Sequence, residues 1–194
     1  QWSWSLYAQQ SDTGQIVNEV RPAAGPTPPV NRSGTLDYSQ HSYGGTAQGR
    51  QALTPGGQGL LFTFGGSYKH HTFDMLRDRV DLNALTGAVV PATNLILPTK
   101  YFPKSNVGET GGYVQAEMRL GHLLLVPGVR YDRFSLNADG SDHVFLATLS
   151  PTPADFSADA VSSKLGASVR VSNAITIHGQ YAGGFRAPPY SAVN

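Results

Sequence analysis

The clearest feature of this sequence is an alternation of apolar and polar residues with a period of two. In TGGYVQAEMRL the even positions from Val114 to Leu120 are apolar, and the odd positions from Tyr113 to Arg119 are mostly polar. The same pattern recurs in LLFTFGGSYKH, VSSKLGASVRV and ITIHGQYAGGF, and more weakly in WSWSLYA, LDYSQHSYGGTAQG and LLLVPGVRYDRFSL. Successive side chains of a strand point to opposite faces, whereas a helix repeats every 3.6 residues. The pattern therefore predicts an all-β protein of about seven strands.

Composition indicates what the apolar face contacts. Charged residues make up 14% of the chain, against roughly 25% in typical soluble domains. Glycine (22 residues) and proline (13 residues) are plentiful, and no apolar run is long enough for a membrane-spanning helix. A soluble β-sandwich is the alternative, but its water-facing surface would readily carry many Lys and Glu. We therefore predict an antiparallel transmembrane β-barrel, with apolar residues toward lipid and polar residues toward the lumen.

The connections between the predicted strands fall into two classes of length. Short links are predicted at 54–59, 121–122 and 172–174, and long ones at about 11–34, 72–107 and 138–158. The two classes alternate along the chain. Outer-membrane barrels show this asymmetry, with short periplasmic turns and longer extracellular loops.

The strand count bears on domain organisation. Bacterial single-chain barrels have an even number of strands, eight or more, and an open sheet edge is not tolerated in hydrocarbon. We therefore expect residues 1–194 to be one partial barrel domain, completed by strands outside this sequence.

Several function classes are disfavoured. The net charge of +1 gives no electrostatic case for nucleic acid, and the lack of cysteine excludes disulfides and thiolate metal sites. No G-x-S-x-G, H-E-x-x-H or P-loop motif is present. Asp74, Asp78 and Asp81 lie beside His70 and His71, but MLRDRVD is charge-balanced and favours local ion pairs. The sequence predicts that the chain is not an enzyme.

The final residues carry a motif. YAGGFRAPPYSAVN resembles the FRAP box of TonB-dependent outer-membrane receptors of the haem, haemoglobin and transferrin-type branch. The motif itself comprises Phe185, Arg186, Ala187 and Pro188. Upstream, GGYVQAE and PGVRYDRF are similar to a hairpin shared by these receptors generally. The resemblance covers roughly residues 60–194, and residues 1–59 resemble the family only in style.

This resemblance implies a bacterial outer-membrane receptor whose barrel, of 22 strands, is filled by a plug domain. It also implies import of haem or iron from haem or a haemoprotein, driven by the TonB complex acting on a plug that is not in this sequence. Haem would be cargo, and no intrinsic cofactor is predicted. A siderophore receptor of the same superfamily and a passive porin-like barrel are the alternatives.

The candidate haem contacts are His71, His70 and His143. His70 and His71 are predicted to lie where a strand passes into a long external loop, and His143 lies in another external loop. A neutral imidazole can bind iron, although each of these residues can equally be a solvated loop histidine. In the haem branch the iron-binding histidine follows the FRAP box before an NPNL motif, which would place it beyond Asn194. The metal ligand is therefore not assigned.

Charged residues are predicted on the lumen face. Arg186 follows the polar phase of His178 and Gln180, where it can bind a propionate or pair with a wall carboxylate. Pro188 and Pro189 lack an N–H and are expected to end the strand. The polar phases of the other strands place a set of charged side chains toward the plug: Glu117, Arg119, Arg130, Asp132, Lys164 and Arg170.

Overall fold

A computed structural model describes residues 1–25, 27–54, 59–92, 96–149 and 152–187, and these form one antiparallel sheet of seven strands. Each strand pairs with the next one in sequence. The strands are β1 (Trp2–Arg21), β2 (Val30–Leu53), β3 (Leu60–Asn83), β4 (Ser105–Leu120), β5 (Leu123–Ala138), β6 (Phe156–Arg170) and β7 (Thr176–Ala182). A short helix, α1 (His143–Leu149), lies between β5 and β6. The predicted all-β antiparallel fold is confirmed, whereas the helix was not predicted.

The two faces of the sheet differ in polarity. We call one the outer face: it carries the even-numbered residues of β1, β3 and β4 and the odd-numbered residues of the other strands. Many of its side chains are large, apolar and exposed, including Trp4, Leu6, Leu53, Val114, Val129, Val161 and Ile177. The opposite, inner face carries all six charged residues that the alternation places in the lumen, from Glu117 to Arg170. The sheet therefore has the two-sided polarity of a barrel wall.

An apolar band crosses the outer face. On β3 it runs from Leu60 to Tyr68, which spans ~26 Å at the usual rise per strand residue. Tyr43 and Tyr68 mark one end, with ring centroids 6.4 Å apart. Beyond them the outer face of β3 turns polar at His70. Outer-membrane barrels carry an apolar band about 25 Å tall edged by aromatic residues.

Two of the short connections form as predicted. Gly121 adopts a φ of 62° in the turn between β4 and β5, a left-handed conformation that favours glycine. Between β6 and β7, the N–H of Val171 donates to the carbonyl of Ile175 at 2.9 Å, which closes a tight turn. Of the third predicted connection, 54–59, residues 55–58 lie outside the described part of the chain.

The long connections are shorter than predicted. β1 and β2 continue to a connection at 22–29, and β3 continues to Asn83. The other two long connections are 84–104 and 139–155 rather than 72–107 and 138–158. A strand needs only about 9–11 residues to cross a membrane, so β2 and β3, with 24 residues each, extend well beyond it. The outer face there no longer meets lipid, so the sequence alternation that marks a strand fades.

An apolar cluster lies on the inner face, where the sequence predicted a hydrophilic surface. Phe73, Val107, Phe134 and Leu136 are buried together, from three adjacent strands. Partly buried neighbours pack on them: Tyr38, Ala138, Phe156, Phe185 and Ala187. The prediction of a uniformly polar lumen face is wrong at this level. The cluster gives this half of the sheet a core of its own.

Glycine permits close packing between β2, β3 and β4. A Cβ added at Gly65 would lie 2.7 Å from the carbonyl oxygen of Ala47 and 2.9 Å from the Tyr113 ring. We expect Gly65→Val to displace Tyr113 and lower the yield of folded barrel, measured in the full-length receptor by the heat-dependent mobility shift on SDS gels. Gly112→Ala is the control, because its nearest neighbour would be 3.9 Å away. Equal folded yields for both variants would contradict this packing argument.

Candidate functional site: a charged cavity on the inner face

A cavity of about 560 Å³ lies against the inner face. Its inner-face side chains come from five strands, β1 to β5, and from the segment that follows β7. They are Tyr7, Thr46, Ser67, Lys69, Glu109, Arg130, Asp132, Phe134, Phe185 and Arg186. One wall is charged and the other, around Phe134 and Phe185, is apolar. The cavity therefore combines an apolar wall with a wall that carries charges of both signs.

An ion pair on β5 forms part of the charged wall. Arg130 and Asp132 are two residues apart and share the inner face, and the Nε of Arg130 donates to both carboxylate oxygens at 2.8 Å. Gly111 on β4 lies beneath them, where an added Cβ would lie 2.7 Å from Oδ1 of Asp132. The absence of a side chain at Gly111 therefore lets the pair lie flat on the wall.

The FRAP segment turns onto the inner face. Strand pairing ends at Ala182, and the N–H of Gly183 still donates to the carbonyl of Ser163 at 2.9 Å. Phe185 then packs against the inner apolar cluster, and Arg186 lines the cavity with its side chain exposed. The predicted strand phase, which put Phe185 toward lipid, is therefore wrong because pairing stops three residues earlier. Pro188 and Pro189 lie outside the described residues.

His71 lies on the inner face in the middle of β3, not at the start of a loop as predicted. It is only 6% exposed. Its Nδ1 lies 2.7 Å from the hydroxyl of Ser42 and 3.3 Å from the side-chain nitrogen of Gln40, and its Nε2 lies 3.8 Å from Glu109. The ring is thus held in a hydrogen-bonded polar network within the wall.

The other two candidate histidines lie in different surroundings. His70 points to the outer face, where its ring lies 4.9 Å from the ring of Tyr43 at the edge of the apolar band. His143 is the first residue of α1 and is exposed. The structure therefore does not bring the three candidates together, and only His71 faces the lumen from the wall.

An ion triad, in which Lys100 and Asp142 are buried, joins the two long connections 84–104 and 139–155. The Nζ of Lys100 lies 2.8 Å from Asp142 and 2.6 Å from Asp74. Asp142 also accepts the backbone N–H of Lys104 at 2.9 Å, and its other oxygen accepts the N–H of Phe145 at 3.3 Å, which caps α1. We call Lys100 and Asp142, with these contacts, the loop clamp. Sequence reasoning missed it, although an aspartate just before HVFLATL is a recognisable cap signal.

Both clamp residues have shifted pKa values. Burial by itself lowers the pKa of Lys100, but its hydrogen bonds to Asp142 and Asp74 outweigh burial, and the pKa lies above the ordinary value. Burial likewise raises the pKa of Asp142, but hydrogen bonds from Lys100, Lys104 and Phe145 outweigh it, and the pKa lies below the ordinary value. The charged pair is therefore favoured over neutral forms.

Within the described ranges, no group of three or more His, Cys, Asp or Glu residues is arranged to hold a metal ion. The α-helix found there is too short to cross a membrane.

The family model described as "TonB dependent receptor-like, beta-barrel" matches residues 1–194. The chain belongs to this family. No curated protein sequence matches the chain. Among solved structures, the unliganded ferric citrate transporter FecA is similar with a TM-score of 0.62 and 13% identity, over 98% of this chain and 26% of that one.

Membership in the TonB-dependent receptor family settles several predictions. The barrel fold and the bacterial outer-membrane location are confirmed, and so is the prediction that the chain is not an enzyme, because family members are receptors and transporters. The chain spans about a quarter of the length of the ferric citrate transporter. Its sheet therefore corresponds to part of a larger barrel.

The loop clamp gives a test of the extracellular surface. Lys100→Met would leave buried Asp142 without its cation, a change that typically costs ~3 kcal/mol. We expect faster hydrogen exchange in 139–149 of the full-length receptor, with the barrel strands unaffected. Lys104→Met is the control, since Lys104 contacts Asp142 only through its backbone.

The clamp also predicts a pH window. A carboxyl group whose pKa is lowered by folding contributes stability above its unfolded-state pKa, and this stability is lost as the pH falls through its folded-state pKa. A lysine whose pKa is raised by folding contributes stability below its unfolded-state pKa, and this stability is lost as the pH rises through its folded-state pKa. Protection of 139–149 should therefore hold from about pH 4 to about pH 10 and fall outside that range. Exchange that is unchanged by Lys100→Met at neutral pH would contradict the clamp.

Proposed function

We propose that this chain forms part of a receptor that imports an anionic iron chelate across the outer membrane, with haem as the first candidate. The energy would come from the TonB complex through a plug domain. The proposal extends the family assignment, whose members depend on TonB, to a class of cargo.

The observation that carries the proposal is the composition of the inner-face cavity. Phe134 and Phe185 supply an apolar surface, and Arg186 supplies a positive charge beside it. The other two cations of the inner-face lining lie next to carboxylates, Lys69 opposite Glu109 and Arg130 paired with Asp132. Haem has the matching form, a planar apolar ring with two carboxylates at one edge. Guanidinium groups bind carboxylates through paired, charge-assisted hydrogen bonds. Arg186 also has no ion-pair partner among the described residues, so its charge is available to a ligand.

The three candidate histidines differ in how well they are placed to contact haem. His143 is exposed on the extracellular side and is the candidate best placed to meet haem before it enters the lumen. His71 faces the lumen, but its Nδ1 is already hydrogen-bonded and its Nε2 faces Glu109. His70 faces away from the lumen. We retain His143 as the preferred contact and His71 as the second.

A siderophore or ferric carboxylate receptor is the second candidate. It is favoured by the likeness to a ferric citrate transporter, although at 13% identity this likeness concerns the fold alone. The cavity supports such a ligand through the same cationic groups, and no histidine would then be required. A passive porin-like barrel is disfavoured by the family.

The test is a titration of the full-length receptor with haemin in detergent, followed by the Soret band. We expect saturable binding with a band shift, and about tenfold weaker binding for Arg186→Ala, which corresponds to the loss of ~1.4 kcal/mol of a charge-assisted contact. Arg50→Ala is the matched control, because Arg50 also lies on the inner face but does not line this cavity.

Replacing His143 by Ala separates the two candidates. A haem receptor that uses this residue should lose the Soret shift while keeping its fold. Saturable binding of ferric citrate together with no haemin binding would support the second candidate. If the receptor takes up no ferric chelate in an iron-limited uptake assay, the proposed function is wrong.

A further inference from the structure

The inner face of β3 carries two arginines near its extracellular end. Arg77 and Arg79 are two residues apart and so share one face, with their Cα atoms ~6.6 Å apart at the usual strand rise. Their cross-strand partners on β2 are Leu36 and Gly34, neither of which is charged. Two like charges are thus placed side by side on the wall above the apolar cluster.

Nearby carboxylates are already engaged. Asp81 accepts two hydrogen bonds of 2.7 Å from Arg32, in a bidentate pair. Glu19 pairs with Arg21 at 3.0 Å. Four guanidinium groups therefore face two carboxylates on this part of the inner wall. Asp78 does not reduce the excess, because it points to the outer face.

Arg77 is held in place by Tyr101, and Arg79 has an unmet hydrogen-bonding group. The guanidinium carbon of Arg77 lies 5.4 Å from the ring centroid of Tyr101, and Arg77 also donates to the hydroxyl of that residue. The Nε of Arg79 is buried without a hydrogen-bond partner among the described residues. A buried donor left unpaired costs roughly 1–3 kcal/mol, and such groups call for a functional explanation.

We infer that Arg77 and Arg79 form an anion-binding site at the extracellular rim of the lumen, which captures an iron chelate bearing at least two carboxylates. The inference rests on the proposed function and narrows its cargo. Two guanidiniums at this spacing match two carboxylates on one ligand. Each also offers a planar pair of donors that a carboxylate accepts in bidentate fashion.

The position of the site gives it a role distinct from the cavity. Arg77 and Arg79 lie six or more residues beyond His71 on β3, farther toward the long connections than the cavity residue Lys69. A ligand from outside would meet the arginine pair first and the cavity afterwards. Tyr101, which is 54% exposed, covers Arg77 from the connection 84–104. The pair therefore acts as a first contact that selects for negative charge.

The inference excludes neutral cargo from this site. A neutral ferric trihydroxamate presents no carboxylate and gains nothing from two adjacent positive charges. Binding of a polycarboxylate chelate should weaken as salt screens those charges, whereas binding of a neutral chelate should not.

The experiment compares the full-length receptor with the double variant Arg77→Gln, Arg79→Gln, using haemin, ferric citrate and a neutral ferric trihydroxamate as probes. We expect binding of at least one carboxylate chelate to weaken by about 30-fold or more at low salt, and its salt dependence to fall. Arg50→Gln is the matched control. The heat-dependent gel shift verifies that each variant is folded, and the single variants replace the double variant if it does not fold.

The outcomes separate the two claims. If carboxylate chelates bind the wild type and the folded arginine variants equally, the anion site is wrong and the proposed function stands. If the wild type binds only the trihydroxamate, the anion site and the anionic cargo of the proposed function are both wrong. Binding of no ferric chelate by the wild type overturns both.

Discussion

The structure depends on one constraint: backbone groups within hydrocarbon must be hydrogen-bonded to other backbone groups. In this chain the neighbouring strand supplies those partners, in registers that run without a break for most strand pairs. The β4–β5 ladder is interrupted between Gln115 and Met118, opposite Pro127. Proline has no N–H, so it cannot donate a hydrogen bond to the neighbouring strand. Once the strands are paired, side chains must alternate between lipid and lumen. The cavity, the apolar cluster and the charged residues all lie on one of these two faces.

The inner face is divided into levels by this alternation. Charged residues such as Lys164 and Arg170 lie toward the short turns. The Arg130–Asp132 pair and the cavity lie above them, and the apolar cluster around Phe134 and Leu136 follows toward the long connections. The rim beyond it is rich in arginine. The connections are tied to the wall by buried Lys100, so the extracellular surface is ordered by the same sheet that spans the membrane. The inner face therefore changes in character from the short turns to the long connections.

Sequence patterns predicted the membrane-facing half of the sheet well, because there the two environments differ most. Val114 to Leu120 and their polar neighbours lie on the predicted faces. Beyond the membrane the outer face no longer meets lipid, and the sequence predicts loops where β1, β2 and β3 in fact continue. Phe73 and Leu136 share the inner phase with polar residues, so alternation by itself does not predict their burial. The position of Phe185 depends on where pairing stops, and the clamp joins Lys100 to Asp142 across 42 positions. Such contacts carry no local signal.

The central claim is that the two faces meet lipid and an aqueous lumen. Single cysteines placed at Phe62 and Thr63, in a full-length receptor with no other cysteine, report on adjacent positions of opposite phase; residues 1–194 contain none. With an environment-sensitive fluorophore at each site in lipid vesicles, the account predicts quenching by lipid-attached nitroxide at position 62 and by a water-soluble quencher at position 63. Equal quenching by the aqueous agent at both positions, or the reverse pattern, would contradict it.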